Sequence, residues 1–494
     1  MTALLAGPIL LPLFGAALSI GLGRSRTAQR LIGVVTLGIV ATLSVLLLLR
    51  VDSDGVASVQ AGGWEAPIGI TLVADRLAAI MLVIAVLMLL AVLIYAIGQP
   101  GAEEHHVGFH PVYLILAAGV SAAFLTGDLF NLFVAFEVML MASYVLITLG
   151  GSADQVRSGM TYVVISLIAS TLFLLALAFV YASTGTVNLA HLSAKIADLP
   201  SGVRSGLALL LIVVFGIKSA IFPLFFWLPD SYPTAPTPVT AIFAGLLTKV
   251  GVYALLRTQT LLFPADTQPG TLLLVVAGIT MVVGVFGAIT QNDIKRILSF
   301  HIVSQIGYMI MGLGLFSVAG LAGAVIYIIH HIVVKTTLFM VAGLIEQRTG
   351  TAQLAELSGL RRLEPALALL FILPALSLAG IPPFSGFVAK LALVEAGLST
   401  GEYTIVAVSL AVSLLTLFSM TKIWANTFWG PDQGNDIGRT LTAPRRALMV
   451  GSTATLVVLS LAIAAGSGAL YDLSERAARD LVDTSNYVNE VLRP

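Results

Sequence analysis

Phe215-Gly-Ile-Lys-Ser-Ala-Ile-Phe-Pro223 sets a lysine, Lys218, into an apolar run and follows it five residues later with a proline. An interior proline removes a backbone hydrogen bond and clashes with the preceding turn, so a helix carrying Lys218 breaks there. Inside a bilayer a broken helix survives only where protein or a wet cavity covers it, and an ionisable side chain there marks a functional site. A second stretch has the same build: Gly380-Ile-Pro-Pro383, then Ser385-Gly386, then Lys390. Paired broken helices point to a transport site.

The lysines extend the pattern. Of seven, Lys218, Lys249, Lys335 and Lys390 lie in long apolar runs, whereas none of the eighteen arginines is expected there. Both side chains are cations in water, but burial drives lysine toward its neutral form while arginine keeps its proton. The interior is therefore expected to hold cations able to release protons, with Glu137 among them as an acid.

Around these residues the chain is overwhelmingly apolar. It has 494 residues, 58% hydrophobic and 10% charged, against about 25% charged in soluble proteins. It is read as an all-α integral membrane protein. A span needs about 20 apolar residues, and fourteen stretches qualify, starting near Leu4, Leu31, Leu77, Val112, Leu129, Gly159, Gly206, Pro238, Thr271, Ile294, Leu321, Pro365, Thr404 and Ala447. The first, Leu4 to Leu22, has no basic segment before it and reads as a span rather than a cleaved signal. The longest polar connections, Val51 to Asp75 and Thr184 to Arg204, are too short for a soluble domain. A formal net charge of zero implies no nucleic-acid partner. Zero cysteines exclude disulfides and thiolate metal or iron–sulfur ligation within the chain.

Basic residues fall mostly in one set of alternating loops, which holds Arg24, Arg26, Arg30, Arg157, Lys295, Arg296, Arg348, Arg361, Arg362, Arg439, Arg445 and Arg446. The opposite loops hold Arg50, Arg76, Lys195, Arg204 and Arg257 with Asp52, Asp54, Glu65 and Asp75. By the positive-inside rule the first set faces the cytoplasm, and an even number of spans puts both termini outside. The tail from Tyr471 to Val491 reads as a surface helix. Shifting the chain by 164 residues sets Phe136-Glu137 on Phe300-His301, Tyr144 on Tyr308 and Gly216-Ile217 on Gly380-Ile381. This weak repeat predicts two inverted bundles of about five helices, over residues 112–257 and 271–428, each containing a broken helix. Residues 1–111 then supply N-terminal spans, and 429–494 the last span and the tail.

Glu137, in Leu129-Phe-Asn-Leu-Phe-Val-Ala-Phe-Glu137, needs a cation or a proton in such surroundings. With Lys218 as partner it serves either as a switchable proton-binding acid or as a structural ion pair that fixes helix register. Lys218 and Lys249 occupy consecutive spans, and antiparallel packing is expected to bring both ammonium groups to one wet cavity, where like charge loosens their protons. Lys249 lies too deep in its span to snorkel. Further on, His331 and Lys335 are four apart and share a helix face, while His330 points about 100° away. A histidine beside another ionisable group suits a proton shuttle; His301 and His330 fit either that role or that of satisfied core residues. Glu395 lies about 140° round the helix from Lys390 and is either a span-end carboxylate or part of the path. Asp128, Asp230 and Asp293 sit beside helix breakers at span edges, where capping is the plain role; Asp128 and Asp230 are also placed to collect protons or sodium at a cavity mouth. No metal site is expected, because adjacent histidines point apart and no third ligand is spaced to join them. No phosphate loop or dinucleotide fingerprint occurs, and Gly397-Leu-Ser-Thr-Gly401, which has the Gly-x-Ser-x-Gly spacing, ends an apolar run instead of joining a strand to a helix, so it is no nucleophile elbow. No cofactor is expected, and energy comes from an ion gradient or from partner subunits.

Gly127-Asp-Leu-Phe-Asn-Leu-Phe-Val-Ala-Phe-Glu137, Lys218-Ser-Ala-Ile-Phe-Pro-Leu-Phe-Phe-Trp-Leu-Pro-Asp-Ser231, Ala235-Pro-Thr-Pro-Val-Thr-Ala241, Leu247-Thr-Lys-Val-Gly-Val-Tyr253 and Gly380-Ile-Pro-Pro-Phe-Ser-Gly-Phe387 together resemble the proton-pumping membrane subunits shared by respiratory complex I and Mrp-type multisubunit sodium/proton antiporters. The resemblance covers nearly the whole chain. It implies that Glu137 pairs with Lys218, that Lys249 passes the proton on, and that Lys390 ends a central polar axis. The residues before Glu137 and the run Thr248-Lys-Val-Gly-Val-Tyr-Ala-Leu-Leu-Arg257 are most similar to the D-type antiporter subunits, and the long lateral helix or extra domain of other branches is not expected here. Trp227-Leu-Pro-Asp-Ser-Tyr232 with Thr237-Pro-Val239 also resembles the complex I pattern.

The implied function is proton translocation through Glu137, Lys218, Lys249, His331, Lys335 and Lys390, in a subunit of a sodium/proton antiporter that is not itself an enzyme. Its implied partners are the A, B, C, E, F and G subunits, the lipid bilayer, protons and sodium, in a bacterial plasma membrane. Two other readings stand beside it. One is a pump subunit of an NADH or ferredoxin:quinone oxidoreductase, and the other is a scaffold whose buried charges only hold helices together.

Overall fold

The computed structural model describes residues 1–101, 103, 108–431 and 442–493; Arg439, assigned above to the basic loops, lies outside the described residues. Apolar stretches become helices because in hydrocarbon each backbone N–H and C=O must find its partner within the protein, and a helix supplies all of them from its own segment. Helices α1 (Thr2–Gly21) and α2 (Arg26–Asp54) come first, and a short antiparallel hairpin, β1 (Ala57–Gln60) with β2 (Thr71–Ala74), leads into α3 (Arg76–Gly98). Next are α4 (Phe109–Leu125), α5 (Leu129–Ile147), α6 (Ala153–Thr184), α7 (Leu189–Ala197), α8 (Ser201–Ser219), α9 (Trp227–Ser231), α10 (Thr237–Ile242) and α11 (Thr248–Leu261). A π-turn, Phe243–Leu247, joins the last two into one span.

The second half holds α12 (Gly270–Thr290), α13 (Ile294–Gly314), α14 (Val318–Thr349), the single turn α15 (Leu360–Leu363), α16 (Pro365–Ala379), α17 (Ser385–Ser399), α18 (Tyr403–Phe428) and α19 (Ala443–Ala465). Helices α20 (Ser467–Val482) and α21 (Ser485–Val491) close the chain. Among the described residues twelve helices are long and apolar enough to cross a membrane, and the shorter apolar α4 and α16 complete the expected fourteen. Tracing the crossings puts β1–β2, α7, α20 and α21 on one side, the hairpin face, and the basic loops on the other, the arginine-rich face.

Burial divides the spans. The apolar windows of α14 and of Thr237–Leu261 are wholly buried, against about a third in α1, α2 and α19. A helix buried all round that still carries lysine and histidine places them inside the protein, where a transport path needs them.

Two repeats build the centre, in a register that differs from the sequence expectation. Helices α6 and α14 are each 32 residues long and begin 165 residues apart. Both end on a left-handed glycine, Gly185 (φ 72°) and Gly350 (φ 80°). Asp128 caps α5 and bridges to Asn188, while Asp293 caps α13 and bridges to Gln353, again at an offset of 165. At the breaks the offset falls to 160. Ala220 and Gly380 are both left-handed, and Ile221 N donates to Gly216 O as Ile381 N does to Leu376 O, each at 3.1 Å. Gly380 therefore matches Ala220 rather than Gly216. The connection from bridge to break spans 32 residues in the first repeat (188 to 220) and 27 in the second (353 to 380), so no single shift aligns both. Five spans separate matching helices, so each crosses opposite to its counterpart and the repeats are inverted.

The interior is not free of arginine. Arg257, expected in a loop, lies in α11 and is 4% exposed. Its two terminal nitrogens donate to the Asp75 carboxylate at 2.6 Å each, and it stands over the rings of Tyr253 and Tyr487 at 5.5 and 5.2 Å. Charge marks the end of an apolar run, but here the helix continues because a distant carboxylate satisfies the guanidinium. The tail is two helices rather than one, and it is pinned to the hairpin face. Gln60 Nε2 donates to Val491 O at 3.2 Å, and Arg76 pairs with both Asp52 and Asp480 at 2.8 Å.

Candidate functional site

Helix α8 stops at Ser219, where Ala220 turns left-handed (φ 58°) and Trp227 Nε1 donates to Ile217 O at 3.2 Å. Lys218 thus occupies the last turn, where a cation suits the negative end of the helix dipole. Glu137 reaches it from α5, through α6 rather than directly. The Ser170 hydroxyl donates to a Glu137 carboxylate oxygen, and Lys218 Nζ donates to the same hydroxyl at 3.1 Å. Among the described residues no ion pair within 4.0 Å joins Glu137 to Lys218. The expected pair is a relay of three residues. Glu137 is half-buried, Lys218 is 7% exposed, and its ammonium also stands 5.3 Å from the Phe136 ring centre. Beside Lys218 lies a cavity of 20 Å³, lined also by Tyr162, Ser166, Trp227 and Tyr232, enough for about one water.

Lys249 does not share that cavity. Helices α8 and α11 do touch, since a Cβ on Gly251 would lie 2.9 Å from the Lys218 backbone. Yet Lys249 Nζ turns to the carbonyl of Ala244 in the π-turn, at 2.5 Å. Its electrostatic neighbours are His331 and Lys335 of α14. The expected meeting of Lys218 and Lys249 fails for a geometric reason. A π-turn adds one residue to the helix and so rotates the remainder of the span by about 100°.

A second cluster is built around α14. His331 and Lys335 are fully buried on one face, and neither His331 nitrogen nor Lys335 Nζ has a hydrogen-bond partner. Buried polar groups of this kind require solvent or a moving neighbour. His330, on the other face, meets Ser385 Oγ through Nδ1 at 2.9 Å, and Ser385 in turn meets Ser377 at 3.0 Å across the second break. Lys390 Nζ donates to Ala379 O, the free end of α16, at 3.0 Å and lies 5.1 Å from the Tyr308 ring centre. His301 Nε2 meets Ser419 Oγ at 2.9 Å and lies within electrostatic reach of Lys335 and Lys390. Every titratable group named in this cluster is a base or a phenol.

The remaining candidates stand apart. Glu395 is exposed and takes no part in the cluster. Asp128 accepts from Asn131 N at 2.8 Å and Asp293 from Arg296 N at 2.9 Å, as helix caps do. Burial pushes both carboxyls above the usual range, against the pull of the N–H donors. Asp230 makes an exposed ion pair with Arg296 at 2.8 Å. The sequence reading missed Ser170 and Ser419, and it named Tyr308 and Ser385 only as marks of the repeat and of the second break, with no part in the chemistry. For Ser170 a signal existed, in its spacing of four residues from Ser166 on an apolar helix.

A family profile described as "NADH:quinone oxidoreductase/Mrp antiporter, TM" matches residues 126–416, which include both breaks and every buried lysine and histidine of the two clusters. The Na(+)/H(+) antiporter D subunit of Alkalihalophilus pseudofirmus is 44% identical, over 100% of both chains. Among solved structures, a chain of the Mrp complex from Dietzia sp. DQ12-45-1b is 33% identical with a TM-score of 0.92, over 100% of both chains. A chain of the membrane-bound sulfane sulfur reductase, an archaeal respiratory membrane complex, is 25% identical with a TM-score of 0.89, over 99% of both. By matched length, identity and shared fold, the chain belongs to the NADH:quinone oxidoreductase/Mrp antiporter family of multi-pass membrane proteins.

Proposed function

We propose that this chain is the proton-translocating D-type subunit of a multisubunit sodium/proton antiporter in a bacterial plasma membrane. It assembles with A, B, C, E, F and G subunits. The arginine-rich face is cytoplasmic by the positive-inside rule, and both termini are outside. Residues 112–257 and 271–428 act as the two working units, between the spans of 1–111 and the last span and tail of 429–494. The whole-length identity of 44% to an antiporter D-type chain supports the antiporter over a respiratory pump, as does the closer match to the Mrp chain, 33% against 25%.

The observation that carries the mechanism is the relay Glu137–Ser170–Lys218 at a helix break. A proton on Glu137 removes the charge that holds Lys218 through Ser170, and Lys218 is then free to give up its own. Lys249 receives that proton when its side chain leaves Ala244 O, because at rest it faces away from Lys218. Among the described residues no acid stands with the bases of the second cluster, and neighbouring like charges disfavour each other. A proton arriving on Lys249 is therefore passed along His331 and Lys335, and another is expelled at Lys390, with His301 and His330 as side stations.

Glu137→Gln in the assembled complex tests this. In inside-out vesicles, exchange of sodium driven by a pH gradient is expected to vanish while the subunits still co-purify. Wild-type exchange by that variant overturns the mechanism.

A further inference from the structure

Helix α6 carries more hydroxyls than Ser170. Ser158, Tyr162, Ser166 and Ser170 occur at intervals of four, so they lie on one helix face, about 6 Å apart along the axis. Tyr162, Ser166 and Ser170 are 2%, 7% and 6% exposed, whereas Thr171 on the outer side of the helix is exposed. The row starts at the arginine-rich face, where Ser231 Oγ donates to Ser158 O at 3.3 Å. Tyr162 shares a hydrogen bond with Ser143 of α5 at 2.9 Å. The row stops at the relay, since the next residues on this face are Phe173, fully buried, and Leu174, half exposed.

Serine and threonine in apolar helices ordinarily bond back to the carbonyl four residues earlier, as Thr171 does to Leu167 and Ser183 to Phe179. Ser170 instead donates to Glu137. A second, independent sign is the 20 Å³ cavity that Tyr162 and Ser166 share with Lys218. Tyr232 lines it too, fully buried and with a hydroxyl that has no partner.

We infer that the Ser158–Tyr162–Ser166–Ser170 face of α6 is the inlet by which protons reach Glu137 from the arginine-rich face. The inference rests on the relay proposed above. Each hydroxyl donates and accepts at once, so it takes a proton on one side, releases one on the other and ends neutral. The water-sized cavity bridges Ser166 to Lys218, and Ser170 makes the last transfer to the carboxylate.

The test uses the assembled complex in inside-out vesicles. Ser166→Ala is expected to lower exchange roughly tenfold or more, Ser166→Thr to restore most of it, and Thr171→Ala to behave as wild type. The chain contains no cysteine, so Ser166→Cys gives it a single thiol, and the parent complex treated with the same reagent controls for thiols on partner subunits. A membrane-impermeant methanethiosulfonate reagent is expected to block exchange from the arginine-rich face and not from the hairpin face. Wild-type exchange by Ser166→Ala combined with Tyr162→Phe, beside an inactive Glu137→Gln, overturns the inlet and spares the relay. Block only from the hairpin face also overturns it. An active Glu137→Gln overturns the relay itself.

Discussion

Replacing Arg257 by methionine leaves the Asp75 carboxylate buried without its cation. The two side chains are 5% and 2% exposed and meet through paired contacts of 2.6 Å. Charge centres about 4 Å apart attract by about 4 kcal/mol at an effective dielectric of about 20, and each ring contact adds about 0.5–1 kcal/mol. Set against the desolvation cost that the pair itself carries, this gain brings the expected loss to the about 3–5 kcal/mol seen when one partner of a buried pair is removed. It lowers the apparent melting temperature of the purified complex by roughly 5–10 °C. Asp75 also caps α3, accepting from Ala78 N at 2.9 Å, so Asp75→Asn is the second change because it keeps an acceptor. The double variant recovers most of the loss, since no unpaired charge remains.

The pH dependence is the sharper sign. In the native chain burial works to raise the Asp75 carboxyl, but the charge and hydrogen bonds of Arg257, aided by Ala78 N–H, outweigh it and hold the group below the usual range. A lowered folded pKa contributes stability that is present above the unfolded value of about 4 and is lost as pH falls through the folded one. Without Arg257 burial dominates, the folded pKa rises above about 4, and stability is lost as pH rises through it. Melting temperatures between about pH 4.5 and 8 therefore fall more steeply with pH in Arg257→Met than in the native protein or the double variant. Equal slopes in all three, or a double variant no better than the single one, refute the reasoning.

Asp128→Asn keeps the acceptor that caps α5 and removes a carboxyl whose pKa is raised by burial. A raised folded pKa means stability that is complete below the unfolded value and lost as pH rises, so the variant is expected to melt no lower than the native protein at pH 7 and with less pH dependence; a lower melting point contradicts this. Gly386→Ala would put a Cβ 1.7 Å from Ser377 O and 2.9 Å from His330 Cε1. The second break must open to admit it, costing about 1–3 kcal/mol or more, and reduced assembly with a lower melting temperature is expected, whereas native values argue that the two half-helices move freely.

The broken helices and the four lysines were legible because proline and lysine are rare in hydrocarbon and each has a definite effect there. The number of spans was legible from length alone. What the chain could not announce is which faces meet. The spacing of Ser166 and Ser170 marks a polar face on α6, but not that Ser170 stands between Glu137 and Lys218; that depends on how α5, α6 and α8 dock. Lys249 turns to α14 because of a π-turn, which has no composition of its own. Arg257 read as a loop residue because its partner, Asp75, lies 182 positions away. The repeat was visible but out of register, since a five-residue difference in one connection defeats any fixed shift. Glu395 shows the converse, a carboxylate beside an apolar run that faces outward.

The π-turn at Phe243–Leu247 also bears on how such a chain can change over generations. It exists because the span between Thr237 and Leu261 contains one residue more than an unbroken α-helix would place there. Exchanging residues inside it leaves that surplus intact. Losing one codon would let the turn relax, rotate everything beyond it by about 100°, and carry Lys249 away from His331 and Arg257 away from Asp75 together. Drift in identity is open to this stretch, but drift in length is closed, because two distant partnerships are counted from the same place.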